Sequence, residues 1–184
     1  AFPQGEIRGA IVPPSGFTND FNIDPGELVA LRDDARWQAF GGFSGHIKLT
    51  DTGLYETGTA ILPDLDASQP IAGFSAAFRL YMSDGPERPA DGFSFSFAAS
   101  EDEALTEALV DEEGTASGIS ISFDTWDNGG EAPAIDVKWN GQVVARTWFG
   151  GTGPEGRPVF KDTSGNEVSL PTGGDFADVQ IELR

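Results

Sequence analysis

Residues 118–141, GISISFDTWDNGGEAPAIDVKWNG, constrain the fold of this chain more than any other stretch. Ile119, Ile121 and Phe123 alternate with Ser120 and Ser122, the period-2 pattern of a strand with one apolar face. Ile135, Val137 and Trp139 repeat the pattern beyond a turn opened by Asn128-Gly129-Gly130. Asp124, Asp127, Asn128 and Glu131 fall within eight positions of that turn. Hard oxygen donors converging on a tight turn suit Ca²⁺, which takes six to eight oxygens in irregular geometry. The alternative reading is a solvated acidic turn joining two strands.

The same alternation recurs along the chain. Strands are expected at 16–21, 46–50, 58–62, 71–82, 92–98, 117–126, 134–139, 142–149, 158–161, 167–170 and 176–184. Phe74, Ala76, Phe78, Leu80 and Met82 share one face, and Phe93, Phe95 and Phe97 share another with serines opposite. The 24 glycines and 12 prolines punctuate these runs as turn formers. Only 101–113, EDEALTEALVDEE, has helical character, and its acidity predicts a solvated surface loop with a short helical turn. With no internal repeat and no low-complexity linker, residues 1–184 read as one all-β domain, an antiparallel β-sandwich of jelly-roll type.

Charge and cysteine content narrow the partners. A formal net charge of −19, with Lys48, Lys138 and Lys161 the only lysines, argues against nucleic acid and anionic membrane, both of which need basic patches. An acidic surface also attracts divalent cations. Without cysteine there is no disulfide and no thiol chemistry, so bound calcium is the cross-link expected of a secreted domain. No apolar run is long enough to insert into a membrane, and no signal peptide is evident.

Three segments together resemble the legume-type (L-type) lectins of the concanavalin A-like lectin/glucanase superfamily. Ala90-Asp91-Gly92 followed by Phe93-Ser94-Phe95-Ser96-Phe97-Ala98 is similar to the family's ADG-plus-strand motif. Phe123-Asp124-Thr125-Trp126-Asp127-Asn128 resembles its metal loop, and Ile135-Asp136-Val137-Lys138 resembles the strand after that loop. Order and spacing agree across 90–141, while 17–82 fits the same sandwich more loosely.

The resemblance implies a calcium site with Asp124 binding through its carboxylate, Asn128 through its amide oxygen and Trp126 through its backbone carbonyl. Glu131 lies near the family's closing Asp, in a loop that is shorter here. For carbohydrate binding it implies Asp91 as acceptor of sugar hydroxyls, Gly114 as a backbone N–H donor, Asn128 as an amide donor and Trp126 as a ring lining the site. Such a set supplies the planar acceptor, amide donor and apolar face that sugars require. In the family the peptide before the Asp is cis, which implies a cis Ala90–Asp91 bond, a conformation costing about 2.5–4 kcal/mol outside proline. An exposed Trp126 beside Asp91 would favour a lectin, a buried one a structural module.

The departures from the family are equally specific. Ser122 stands where a second, transition-metal site has Glu, and no histidine occurs near Pro133–Ala134, so calcium without a paired manganese-type ion is expected. A further calcium at Asp127, Glu131 or Asp136 stays open. His46, the lone histidine, reads as an ordinary polar residue in or beside a strand. Trp37, Trp139 and Trp148 read as core or edge aromatics. Glucanases of the superfold carry Glu-x-Asp-x-Glu, whose two carboxylates act ~5 Å apart as acid and nucleophile. Here that strand reads Ser122-Phe123-Asp124-Thr125-Trp126, with both flanking carboxylates missing.

The function these features predict is a calcium-dependent carbohydrate-binding module of a secreted or surface-anchored bacterial protein, with a glycan or polysaccharide as partner. A jelly-roll adhesion or structural module that binds no sugar is the alternative, and a glycoside hydrolase the third reading. The family continues for several strands past the stretch resembling 176–184. The expectation is therefore a longer native polypeptide, whose C-terminal segment would be a further partner completing the sheet.

Overall fold

The computed structural model describes residues 16–40, 44–65, 69–82, 91–106, 110–150 and 160–184. In chain order its strands are β1 (Ala30–Asp33), β2 (Arg36–Ala39), β3 (Gly45–Lys48), β4 (Gly58–Ile61), β5 (Phe74–Leu80), β6 (Gly92–Phe97), β7 (Ile119–Asp124), β8 (Ala134–Trp139), β9 (Gln142–Trp148) and β10 (Ala177–Leu183). Two single 3-10 turns, Gly26–Leu28 and Glu103–Leu105, are the only helical elements among the described residues. The described residues are all-β, and every strand pairing among them is antiparallel.

The largest sheet has the order β6-β7-β8-β9, and β10 pairs with β5, β1 with β4 and β2 with β3. The aromatic alternation explains how β5 and β10 meet the four-stranded sheet. Phe74 and Phe78 project from β5 onto Phe93, Phe95 and Phe97 of β6; Phe74 stacks on Phe97 at 5.0 Å and Phe78 on Phe95 at 5.7 Å between centroids. Ile121 and Phe123 of β7, with Leu170, form the buried centre, and Leu80, Ile135, Val137, Val179 and Ile181 close around it. Fully burying an apolar side chain of this size contributes roughly 1.5–3 kcal/mol. This shared apolar layer is the packing of a β-sandwich.

The opposite face of β7 is polar, yet it is equally enclosed. Ser120 and Ser122 are each 1% exposed and Asp124 is 4% exposed. Register carries the pattern across the sheet, with Ser94, Ser122, Asp136 and Arg146 in one cross-strand row and Ser96, Ser120 and Lys138 in the next. Residues 110–117 cross this face as a strap.

Ten of the eleven expected strand regions lie wholly within the described residues, and two of these are not strands. Residues 16–21 form no ladder, because Asn19 Oδ1 accepts from the Phe21 N–H and Asp20 Oδ1 from the Asn22 N–H; these local turns compete with pairing. Residues 167–170 contribute one isolated bridge, Lys161 to Glu167, on a turn whose Asp162 carboxylate accepts from the Ser164 and Asn166 amides. Residues 158 and 159 of a further expected strand lie outside the described residues. β1 and β2 were not foreseen in the alternation. The short helical turn expected within 101–113 is present as Glu103–Leu105, with Asp102 Oδ1 accepting from the Ala104 N–H.

Candidate functional site

At one end of the polar face, the β6–β7 register sets Gly92 opposite Asp124, and the β7–β8 register sets Ala134 opposite it on the other side. Asp124 therefore rises between a residue with no side chain and one with a methyl. A Cβ at Gly92 would stand 2.3 Å from the Phe123 carbonyl oxygen, so only glycine allows this approach of the two strands. Beyond the strand ends, Thr125 donates both its N–H and its hydroxyl to the Asp91 carbonyl, each at 2.9 Å. Asp91 and the 124–131 loop, 33 positions apart at their nearest, are thereby held side by side.

Asp124 Oδ1 accepts from the Trp126 N–H at 3.0 Å. Burial, followed by the neighbouring charges of Glu113, Glu131 and Asp136, pushes its carboxyl up to about 6. A cation near Asp124 would relieve that cost, and its oxygen chemistry fits calcium. The rest of the loop is organised by its own backbone. Asp127 Oδ1 accepts from the N–H groups of Gly129, Gly130 and Glu131, and Glu131 Oε1 accepts from that of Asn128. Among the described residues no group of three or more His, Cys, Asp or Glu side chains is arranged to hold a metal. Of the residues expected to bind calcium, Asp124 is buried at the end of β7, Asn128 is exposed in the loop, and the Glu131 carboxylate is turned onto the Asn128 backbone N–H.

The residues expected to bind sugar are distributed unevenly. Asp91 and Asn128 are exposed, and Trp126 is half-buried, a state that favours neither the lectin nor the structural alternative. Gly114 lies in the strap, where its N–H donates to the Asp111 carbonyl at 3.1 Å. Its φ is +81°, and a Cβ would approach the Ser120 Cβ and Oγ to 2.6 Å. The Ala90–Asp91 peptide lies outside the described residues. His46 sits in β3 between the rings of Phe40 and Phe176, as an ordinary strand residue. Trp37 donates its indole N–H to the Phe21 carbonyl, Trp139 ends β8 with 53% exposure, and Trp148 ends β9 under the Arg146 guanidinium.

The strap corrects the reading of 101–113 as a uniformly solvated acidic run. Asp102 is buried, and its Oδ2 accepts from the Ser117 N–H at 2.8 Å and from the Ser117 hydroxyl at close range. Ser94 Oγ donates to the Asp111 carbonyl, Ser122 Oγ to the Glu112 carbonyl, and the Thr115 N–H to Ser120 Oγ and Ser96 Oγ. Lys138, 3% exposed, donates its ammonium to both the carbonyl and the carboxylate of Glu113. Arg146 forms a two-pronged pair with the buried Asp136. Lys138, Arg146 and the serine grid were not singled out from the sequence. The available signal was that small hydroxyls, not long charges, oppose the apolar positions on two adjacent strands.

No protein-family model matches the chain, and no curated protein matches it.

Proposed function

We propose that this chain is a calcium-dependent glycan-binding module built on a concanavalin A-like jelly roll, acting at the cell surface or outside the cell. One observation carries the reading: Thr125 fastens Asp91 beside the oxygen-rich 124–131 loop, so a hydroxyl acceptor and candidate calcium donors meet at one sheet end. In this reading Asp124 and Asn128 hold calcium, which orders the loop and offsets the buried charge. Asp91 accepts from sugar hydroxyls, Asn128 donates its amide, and the half-buried Trp126 supplies an apolar edge.

A second reading, a jelly-roll adhesion or structural module, draws on the same loop. Asp127 and Glu131 already satisfy its backbone amides without an ion. A glycan-array screen in calcium and again in EDTA separates the two. Binding that EDTA abolishes supports the lectin; a folded protein that binds no glycan in either buffer supports the structural module.

A further inference from the structure

Of the five asparagines in the chain, two precede glycine, in Asn128-Gly129 and Asn140-Gly141. Such a bond can rearrange, because a glycine nitrogen has no neighbouring side chain to shield it. The nitrogen attacks the asparagine Cγ, the Cγ–Nδ2 bond breaks, and ammonia leaves with the proton of the glycine N–H. Water then opens the five-membered imide at either carbonyl, and the nitrogen regains its proton. The product carries a carboxylate in place of the amide, on an ordinary or an iso-linked backbone. Nothing is oxidised or reduced, and each conversion adds one negative charge.

Folding treats the two bonds differently, although all four residues are exposed. Asn140 and Gly141 are the central residues of the β8–β9 hairpin, where Trp139 pairs with Gln142. Their φ values of +48° and +72° suit the Asn-Gly turn that matches strand twist. Residue 118 holds Asn140 twice: its N–H donates to Asn140 Oδ1 at 2.9 Å, and its carbonyl accepts from the Asn140 N–H at 2.8 Å. Cyclisation would turn the side chain back onto the Gly141 nitrogen, which breaks the first bond and pulls Asn140 out of the turn. Asn128 and Gly129 lie between β7 and β8, outside any ladder. The Asn128 backbone N–H donates to Glu131 Oε1, but among the described residues no hydrogen bond holds its side-chain amide. The attacking nitrogen, that of Gly129, is held by a long bond of 3.3 Å to Asp127 Oδ1, an oxygen shared with the Gly130 and Glu131 amides.

We propose that Asn128-Gly129 is a self-modification site, where the folded chain exchanges the Asn128 amide for a carboxylate while Asn140-Gly141 is protected. The exchange removes the only amide side chain of the 124–131 loop, which already carries Asp124, Asp127 and Glu131. Its consequence for the site rests on the glycan-binding reading above: an amide donor to sugar is lost and the charge offered to calcium rises. The chemistry itself does not rest on that reading.

The test incubates the full chain in EDTA at neutral and mildly alkaline pH, in buffer and in denaturing urea, and follows each bond by peptide mapping with mass detection. In the folded protein, conversion at 128 should be at least about tenfold faster than at 140, whose hydrogen bonds must open first. In urea the two rates should converge, and the rate at 128 should climb with pH, because the attacking nitrogen reacts as its anion. Gly129→Ala is a second check. Its φ is not left-handed, and a Cβ there meets nothing closer than the end of the Glu131 side chain at 3.3 Å, so the loop should persist. That variant should slow conversion at 128 by about tenfold through shielding alone, with 140 unchanged. Conversion at 140 as fast as at 128 in the folded protein would overturn the inference, as would a 128 bond that stays intact in buffer yet reacts in urea. A difference that persists unchanged in urea would overturn it too, by showing that the fold is not its cause. No sugar or calcium enters these measurements, so a failed glycan screen overturns the lectin reading and leaves this inference standing.

Discussion

Two buried carboxylates on this face behave in opposite ways, and each predicts its own measurement. Burial and neighbouring acids raise Asp124 to about 6, so the folded protein holds a proton there that the unfolded chain, with its ordinary value of 3.8, releases. The folded state then binds more protons between about pH 4 and 6, so this group's contribution falls as pH rises through that window. In EDTA, Asp124→Asn should therefore be more stable than wild type at pH 7, by about 2 kcal/mol, with the difference fading toward pH 4 in urea titrations. In calcium the same variant should lose the metal-induced rise in Tm. Asp102 works in reverse: the Ser117 hydroxyl, followed by the Ala104 and Ser117 amides, holds its carboxyl below the ordinary value. Its stabilisation is present above that value and is lost as pH falls. Asp102→Ala leaves the Ser117 and Ala104 donors unmatched, and a loss of about 2–3 kcal/mol is expected in denaturant melts.

The strap is the element on which site geometry depends, and Gly114 is its tightest point. Alanine there combines a left-handed backbone with a clash against Ser120, so Gly114→Ala should cost about 2–3 kcal/mol. Hydrogen exchange should show Thr115 and neighbouring amides opening faster than those of β7. At this scale the sequence was legible where alternation was long and apolar on one side: β5, β6, β7, β8, β9 and β10 all appear close to their expected limits. It was not legible for β1 and β2, four residues each, whose sequences ALRD and RWQA mix charge with single apolar positions. At 16–21 an apparent alternation gave way to Asn19 and Asp20 turns. The acidic run over 101–113 concealed the strap for a different reason. Composition reports mean polarity, whereas the strap's burial depends on serine and lysine partners more distant in sequence. The resemblance implied that Asp91 serves the same site as Trp126 and Asn128, but the two hydrogen bonds from Thr125 to the Asp91 carbonyl were not foreseen and follow from sheet register.

For the molecule as a whole, a net charge of −19 sets the response to ions. Self-repulsion destabilises the compact state, and salt screens it. Raising sodium chloride from 10 mM to 0.5 M in EDTA should stabilise the fold by about 1 kcal/mol, or roughly 2–4 °C in Tm. Calcium at millimolar concentration should exceed that effect if the 124–131 loop binds it, and magnesium at equal ionic strength should not, since it demands a stricter octahedron. Differential scanning calorimetry of the three conditions separates site binding from screening.

β7 is enclosed on both faces, one by rings and aliphatic chains, the other by hydroxyls matched to amides and carbonyls. In a saturation library selected for folding, a buried apolar position accepts near-isosteres, because volume is the main requirement. A buried hydroxyl admits almost none: alanine at Ser120 leaves the Thr115 amide of the strap only its longer bond to Ser96 Oγ, and threonine or valine brings bulk where Ser120 already lies close to Gly114. The serines of β7, the residues that look most replaceable in the written sequence, should therefore drift less than the isoleucines and phenylalanine between them. In this strand, hydrophilic letters would mark the least mutable positions.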